Sequence, residues 1–190
     1  MSEMILRQIA ALRAMRGRGV EAGWFESARY ESEGGQTISV AKVARIQEFG
    51  GTINHPGGTK YIKDAIVGTG SRARFVGTRF VRGDFSGEHS VTKAHQIVIP
   101  ARPFMRLAFA NFLSNRATIQ RRIASDMVNG RINVEQALGQ IGLALEGSIA
   151  RAIRNGGWTP NAPSTVARKG FNRPLIDSGH MLQSISHIVT

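Results

Sequence analysis

The sequence predicts an α+β fold, a largely antiparallel sheet with helices packed on one side. Three observations predict it. Apolar residues recur at helical spacing near the start and again after residue 104. The middle, 52–99, is β-branched, alternating and rich in turn residues. The last residues, "SISHIVT", return to a strand pattern. Strands and helices grouped in this way, instead of alternating one by one, give α+β.

The elements follow in order. Ile5, Ile9 and Leu12 share a helical face within 3–15, and Gly17 and Gly19 end that segment. Val20, Ala22 and Trp24 alternate with Glu21, Gly23 and Phe25, as in a strand. "YESEGGQT" (30–37) is a polar turn. Ser39 is placed to cap the helix "VAKVARIQEFGG", in which Val40, Val43 and Ala44 share a face and Gly50-Gly51 form the exit.

"TINHPGGTKYIKDAIV" turns at Pro56-Gly57-Gly58 and then extends. In "SRARFVGTRFVRGDF", Arg72, Arg74 and Val76 alternate with Ala73 and Phe75. The glycines and charges of 68–93 predict a long, mobile hairpin or loop. "HQIVIP" closes the β region.

Phe104, Leu107, Ala108 and Phe112 then hold one helical face, continued by Ile119, Ile123 and Val128 until Gly130. Asn133 is a plausible cap for the strongest helix, with Val134, Leu138, Ile141, Leu145 and Ile149 in one stripe and Gly156-Gly157 as its stop. The proline-rich segment 157–177 offers single turns capped by Ser164 and by Asp177-Ser178. The whole, 1–190, reads as one domain, and its 42% hydrophobic residues supply a core.

Charge and composition narrow the function. A formal net charge of +12, from 25 Lys+Arg against 13 Asp+Glu, suits a polyanion or acidic protein faces, or a basic protein with neither partner. Most of the excess is arginine, which serves protein and phosphate contacts alike. With no cysteine, disulfides, thiolate catalysis and cysteine zinc sites are excluded. No apolar run approaches the ~20 residues a membrane helix needs, so no membrane partner is expected. Arginines interrupt the apolar N-terminus, which lacks a signal-peptide core.

No catalytic, cofactor-binding or metal-binding set emerges. None of the five histidines has another three to five residues away. His55 and His95 meet only if their strands pair, and then lack a carboxylate partner. "VGTGSRARF" lacks the third glycine and the Lys-Ser/Thr of phosphate loops. Ser178-Gly179-His180 has the wrong context for a nucleophile elbow. The expectation is a protein that is not an enzyme and needs no cofactor.

The candidate interface residues are of three kinds. Arg72, Arg74 and Arg79, with Arg82, surround Phe75 and Phe80, a pattern that fits a single-strand nucleic-acid surface or a hairpin docking on an acidic partner. Trp158, in a glycine- and proline-rich stretch, either caps the local core or anchors an interface. Arg168 and Lys169 flank a turn in the tail, and Asp177 is free to pair with Arg173 or Arg102. Arg116, Arg121 and Arg122 belong to the wet face of a helix.

"IPARPFMR" (99–106) is the most distinctive corner. Pro100 and Pro103 fix φ and hold Ile99 and Arg102 extended, so the passage from strand to helix is rigid. Phe104 then points into the core or a neighbour. Arg102 stands at a helix N-terminus, where the dipole disfavours a cation. It calls for an anionic partner, in the same subunit or the next.

Taken together, "VAKVARIQEFGG", "HQIVIPARPFMR", "RAIRNGGWTPNAPSTVARKG" and "RPLIDSGHMLQSISHIV" resemble the neck and tail-completion proteins of tailed bacteriophages. The resemblance covers roughly residues 18–52 and 94–190, with "IPARPFMR" and "PLIDSGHMLQSI" as its most specific parts and 68–93 as the least similar stretch. It implies a non-enzymatic virion morphogenesis protein, made in the host cytoplasm and placed at the head–tail junction. It also implies a homo-oligomeric, typically hexameric, ring between the head connector or portal-side protein and the tail terminator or tail tube protein. DNA would touch it only in passing. Arg102, Phe104 and Arg106 carry over as motif positions. A tail terminator ring and a sequence-independent nucleic-acid-binding protein are the competing expectations.

Overall fold

A computed structural model of the chain describes residues 6, 9, 10, 13–31, 37–67 and 69–190, with the side chains of 67 and 74–76 excepted. In chain order the elements are β1 (Val20–Gly23), β2 (Arg29–Glu31), β3 (Thr37–Ser39), α1 (Val40–Phe49), β4 (Gly51–His55) and β5 (Lys60–Val67). A 3-10 turn (Gly70–Arg72) leads to β6 (Arg74–Phe80), β7 (Ser90–Val91) and β8 (His95–Ile99). Then come α2 (Phe104–Val128), α3 (Val134–Asn155), α4 (Pro163–Lys169), α5 (His180–Gln183) and β9 (Ser186–Val189). Of the expected N-terminal helix, Leu6, Ile9, Ala10 and 13–15 are helical; Ile5 and Leu12 lie outside the described residues.

The fold is α+β, and every described strand pair is antiparallel. The pairs are β1–β9, β2–β3 and β4–β8, with one three-stranded sheet ordered β6-β5-β7. The 68–93 stretch contributes β6 and β7, both paired antiparallel to β5. The sequence reads as one domain, but by its own contacts the chain forms two compact units. Unit 1 comprises Met1–Phe49, Ala101–Pro160 and Arg173–Thr190, and unit 2 comprises Gly50–Pro100 and Asn161–Asn172.

Unit 1 holds the core. Val40, Ala44, Phe104, Ala108, Ile149, Ala152, Ile153 and Met181 form one buried cluster. Helix α3 is its spine. A capping box starts it: Asn133 Oδ1 accepts the Gln136 N–H at 2.9 Å, and Gln136 Oε1 accepts the Asn133 N–H at 2.9 Å. The helix packs against α2 and against β1 and β9, so it is covered on more than its predicted stripe. Its small residues Ala137, Gly142, Ser148 and Ala152 are buried with Leu138 and Ile149. A Cβ at Gly142 would collide with the His187 ring of β9. His187 Nδ1 contacts Glu146 Oε1 at 2.6 Å and ties the closing strand to the helix.

Two predicted caps differ. Helix α4 starts on Pro163 at its first turn with no side-chain cap, so Ser164 is inside the helix. Gly179, at φ 84, occupies the cap position of α5, while Ser178 Oγ accepts the His180 N–H at 3.3 Å.

Unit 2 is built differently. Ala65 is its single buried apolar residue among the described side chains. The β4–β8 ribbon aligns Ile53 with Ile97 and Thr52 with Val98. Cross-strand partners share a face and successive residues alternate, so these pairs lie on opposite faces. Ile53 is 48% exposed, Ile97 38% and Val98 69%, so both faces of the ribbon are bare.

Candidate functional site

From Ala101 onward the distinctive corner lies in unit 1, and its residues there satisfy one another. Arg102 is buried, and its acceptors are neutral. Its Nη1 donates to Gln47 Oε1 at 2.6 Å, its Nε to the Thr159 carbonyl at 3.1 Å and its Nη2 to the Pro160 carbonyl at 3.5 Å. Its backbone N–H donates to the Gln47 carbonyl at 2.8 Å. Among the described residues no carboxylate meets it: the Gln47 side-chain amide and the Thr159 and Pro160 carbonyls hold the guanidinium, and only its backbone N–H reaches a carbonyl at the C-terminal end of α1. Burial pushes its pKa below the ordinary arginine value.

The anion of this corner is Glu48. Its carboxylate accepts the backbone N–H of Met105 at 2.7 Å and of Arg106 at 3.4 Å, and Arg106 Nε at 3.2 Å. These N–H groups open α2 and have no intrahelical acceptor, so Glu48 caps that helix from outside. Phe104 is fully buried, edge-on to Trp24 with ring centroids 5.8 Å apart. The Arg106 guanidinium lies over the Phe49 ring at 5.7 Å. Trp158 Nε1 donates to the Ala152 carbonyl at 3.0 Å, and its ring folds over Gly156 against the core. Arg102, Phe104, Arg106 and Trp158 are thus brought to one corner, where Arg102 and Phe104 are buried within the chain.

The other candidates are spread out. Asp177 is exposed and helps raise the Tyr30 pKa, after burial, which is the larger cause; a backbone hydrogen bond with Met181 opposes both. Arg168 is exposed on α4, and Lys169 Nζ lies over the Phe171 ring at 4.9 Å. Arg72 ends the 3-10 turn and Arg79 lies in β6, both exposed. Arg74 pairs with Val67 in the ladder, and its side chain lies outside the described ones.

Unit 2 concentrates charge as well as bare apolar surface. Its residues include nine Lys+Arg against three Asp+Glu, half of the chain's formal net charge of +12. It also holds an open cleft of about 520 Å³ on the three-stranded sheet, lined in part by Tyr61, Thr78, Phe80, Lys93 and His95. Sequence reasoning named Phe80 but not Tyr61; the signal for the pair is strand register, which alternation alone does not supply.

The strands of His55 and His95 do pair, and the two rings stack with centroids 5.0 Å apart. His55 Nδ1 accepts the Gly57 N–H at 3.0 Å, so that nitrogen is not free for a metal. Among the described residues no three His, Cys, Asp or Glu side chains are grouped to hold a metal ion, and no helix is long and apolar enough to cross a membrane.

Comparison of the chain with protein-family models, curated proteins and solved structures finds no match.

Proposed function

We propose that this chain is a structural subunit of the tailed-phage head–tail junction, a neck or tail-completion protein. It acts by assembling into a homo-oligomeric ring between the head connector and the tail, without catalysis. The motif resemblance of "VAKVARIQEFGG", "IPARPFMR" and "PLIDSGHMLQSI" supports the family. One structural observation supports assembly: unit 2 buries a single apolar residue among its described side chains and leaves both faces of the β4–β8 ribbon bare. A two-stranded ribbon is marginal in water by itself, so burial against a neighbour is what stabilises it.

Unit 1 supplies the rigid body of each subunit and unit 2 the adhesive part. The cations of unit 2 match acidic faces on adjoining proteins. Strong phosphate binding all along a DNA channel would hold the genome in place, so protein partners take most of the arginines.

The test is an extract from infected cells that lack this chain. Filled heads and free tails should accumulate, and adding the purified chain should join them. Joined particles without the chain would overturn the proposal. A chain that caps tail tubes with no heads present would overturn it in favour of a tail terminator.

A further inference from the structure

We propose that the sheet face carrying Tyr61 and Phe80 is a stacking site for single-stranded nucleic acid, sequence-independent and built around one base and its phosphate. The inference does not rest on the neck reading.

The register places Tyr61 opposite Phe80, so both rings stand on the same face, with centroids 6.3 Å apart and planes tilted by 60°. Phe80 is 55% exposed, so much of its ring lacks a partner within the chain. Thr78, two residues earlier in β6, also lines the cleft. The cleft's volume, about 520 Å³, falls in the range of small-ligand sites, and its open form suits a base laid on a ring.

Its wall, residues 92–95, is held in place before any ligand arrives. Thr92 O accepts the Gly58 N–H at 2.9 Å, Thr92 Oγ1 accepts the Thr59 N–H at 3.0 Å, and the Thr92 N–H donates to Thr59 O at 2.9 Å. Gly57, at φ +86, allows this approach, because a Cβ there would meet Thr92 O and the Lys93 backbone. The stack on His55 fixes the plane of His95. His95 Nδ1 lies 2.8 Å from the Lys93 carbonyl, which can only accept. In the neutral ring the proton therefore sits on Nδ1, and Nε2 is left as an acceptor for a base N–H.

The exposed Lys93 adds a cation at this wall, and no Asp or Glu lines the cleft. An acidic peptide would satisfy Lys93 but leave the ring faces unstacked. A duplex keeps its base faces covered, so it cannot stack here. A single strand offers both a ring face and a phosphate.

The experiment is anisotropy of fluorescein-labelled oligothymidylate titrated with the full chain at several salt concentrations. Micromolar affinity that falls with salt is expected. Phe80→Ala should weaken it at least about fivefold. Lys93→Ala, which removes an exposed side chain, should lower the salt slope by about one. Four results would overturn the proposal. They are affinity unchanged by both variants, equal affinity for a duplex of the same length, and a loss that follows Arg121→Ala in α2 instead. The fourth is displacement of the strand by dTMP at comparable concentration, which would assign the cleft to a free nucleotide.

Discussion

The carboxylate of Glu48 accepts the backbone N–H of Met105 at 2.7 Å, so the end of α1 caps the start of α2. Glu48 is buried, and its basic partner among the described residues, Arg106, keeps 68% of its side chain exposed. The two residues should therefore differ sharply on deletion. Glu48→Ala removes a charged cap and should cost about 2 kcal/mol. Arg106→Ala removes an exposed pair and should cost less than about 1 kcal/mol. Urea unfolding of both variants checks the contrast, and equal losses would mean that the ion pair, not the cap, holds the corner.

Arg102 makes a second prediction. Removing its guanidinium leaves Gln47 Oε1 and the Thr159 and Pro160 carbonyls without their donor. Arg102→Ala should destabilise by about 2–3 kcal/mol. Arg102→Lys should recover only part of this, because one ammonium cannot reproduce the planar fork. Oligomer size of the folded fraction, measured by native mass spectrometry, should be unchanged in both. A change in size with stability intact would place Arg102 in an interface.

Tyr30 gives a pH dependence. Its pKa is raised above 10.0 by burial first and by the Asp177 charge second. The unfolded chain therefore loses this proton at lower pH than the folded one. The stabilisation is complete below about pH 10 and is lost as pH rises through the raised value. Denaturation midpoints should fall faster as pH rises above about 10 in the parent than in Tyr30→Phe, at the order of magnitude expected for one phenol. Parallel pH curves would contradict it.

The bare ribbon of unit 2 makes the fourth prediction. Val98 is 69% exposed and faces away from Ile53 and Ile97. At concentrations where the parent is also monomeric, Val98→Asp should leave the unfolding free energy within about 0.5 kcal/mol of the parent. The same substitution should shift sedimentation from ring to monomer, because an unpaired carboxylate in an apolar interface is costly. Unchanged sedimentation would clear this face of a role in assembly.

Much of unit 1 was legible in the sequence. The Asn133 cap, the breaks at Gly130 and Gly156 and the closing strand all rest on local chemistry, and each is present. The rigid corner was legible from its two prolines. Its partners were not: charge patterning points Arg102 toward a carboxylate, whereas backbone and amide oxygens hold it, and these leave no mark in a charge count. Glu48 was missed because its targets lie 57 and 58 residues away on another helix. The small-residue side of α3 was missed because Ala137 and Gly142 do not register as an apolar stripe, although their size is what admits a strand. The division into two units was hidden for a related reason. Alternation marks Ile53 and Ile97 as one face of a strand but does not say whether anything covers that face.

The most direct test of the central claim, assembly at the head–tail junction, is cryo-electron microscopy of purified virions that contain this chain. The account predicts ring density between connector and tail, with the β4–β8 ribbon covered by a neighbouring subunit or adjoining protein. A fully traced neck without this chain would contradict it.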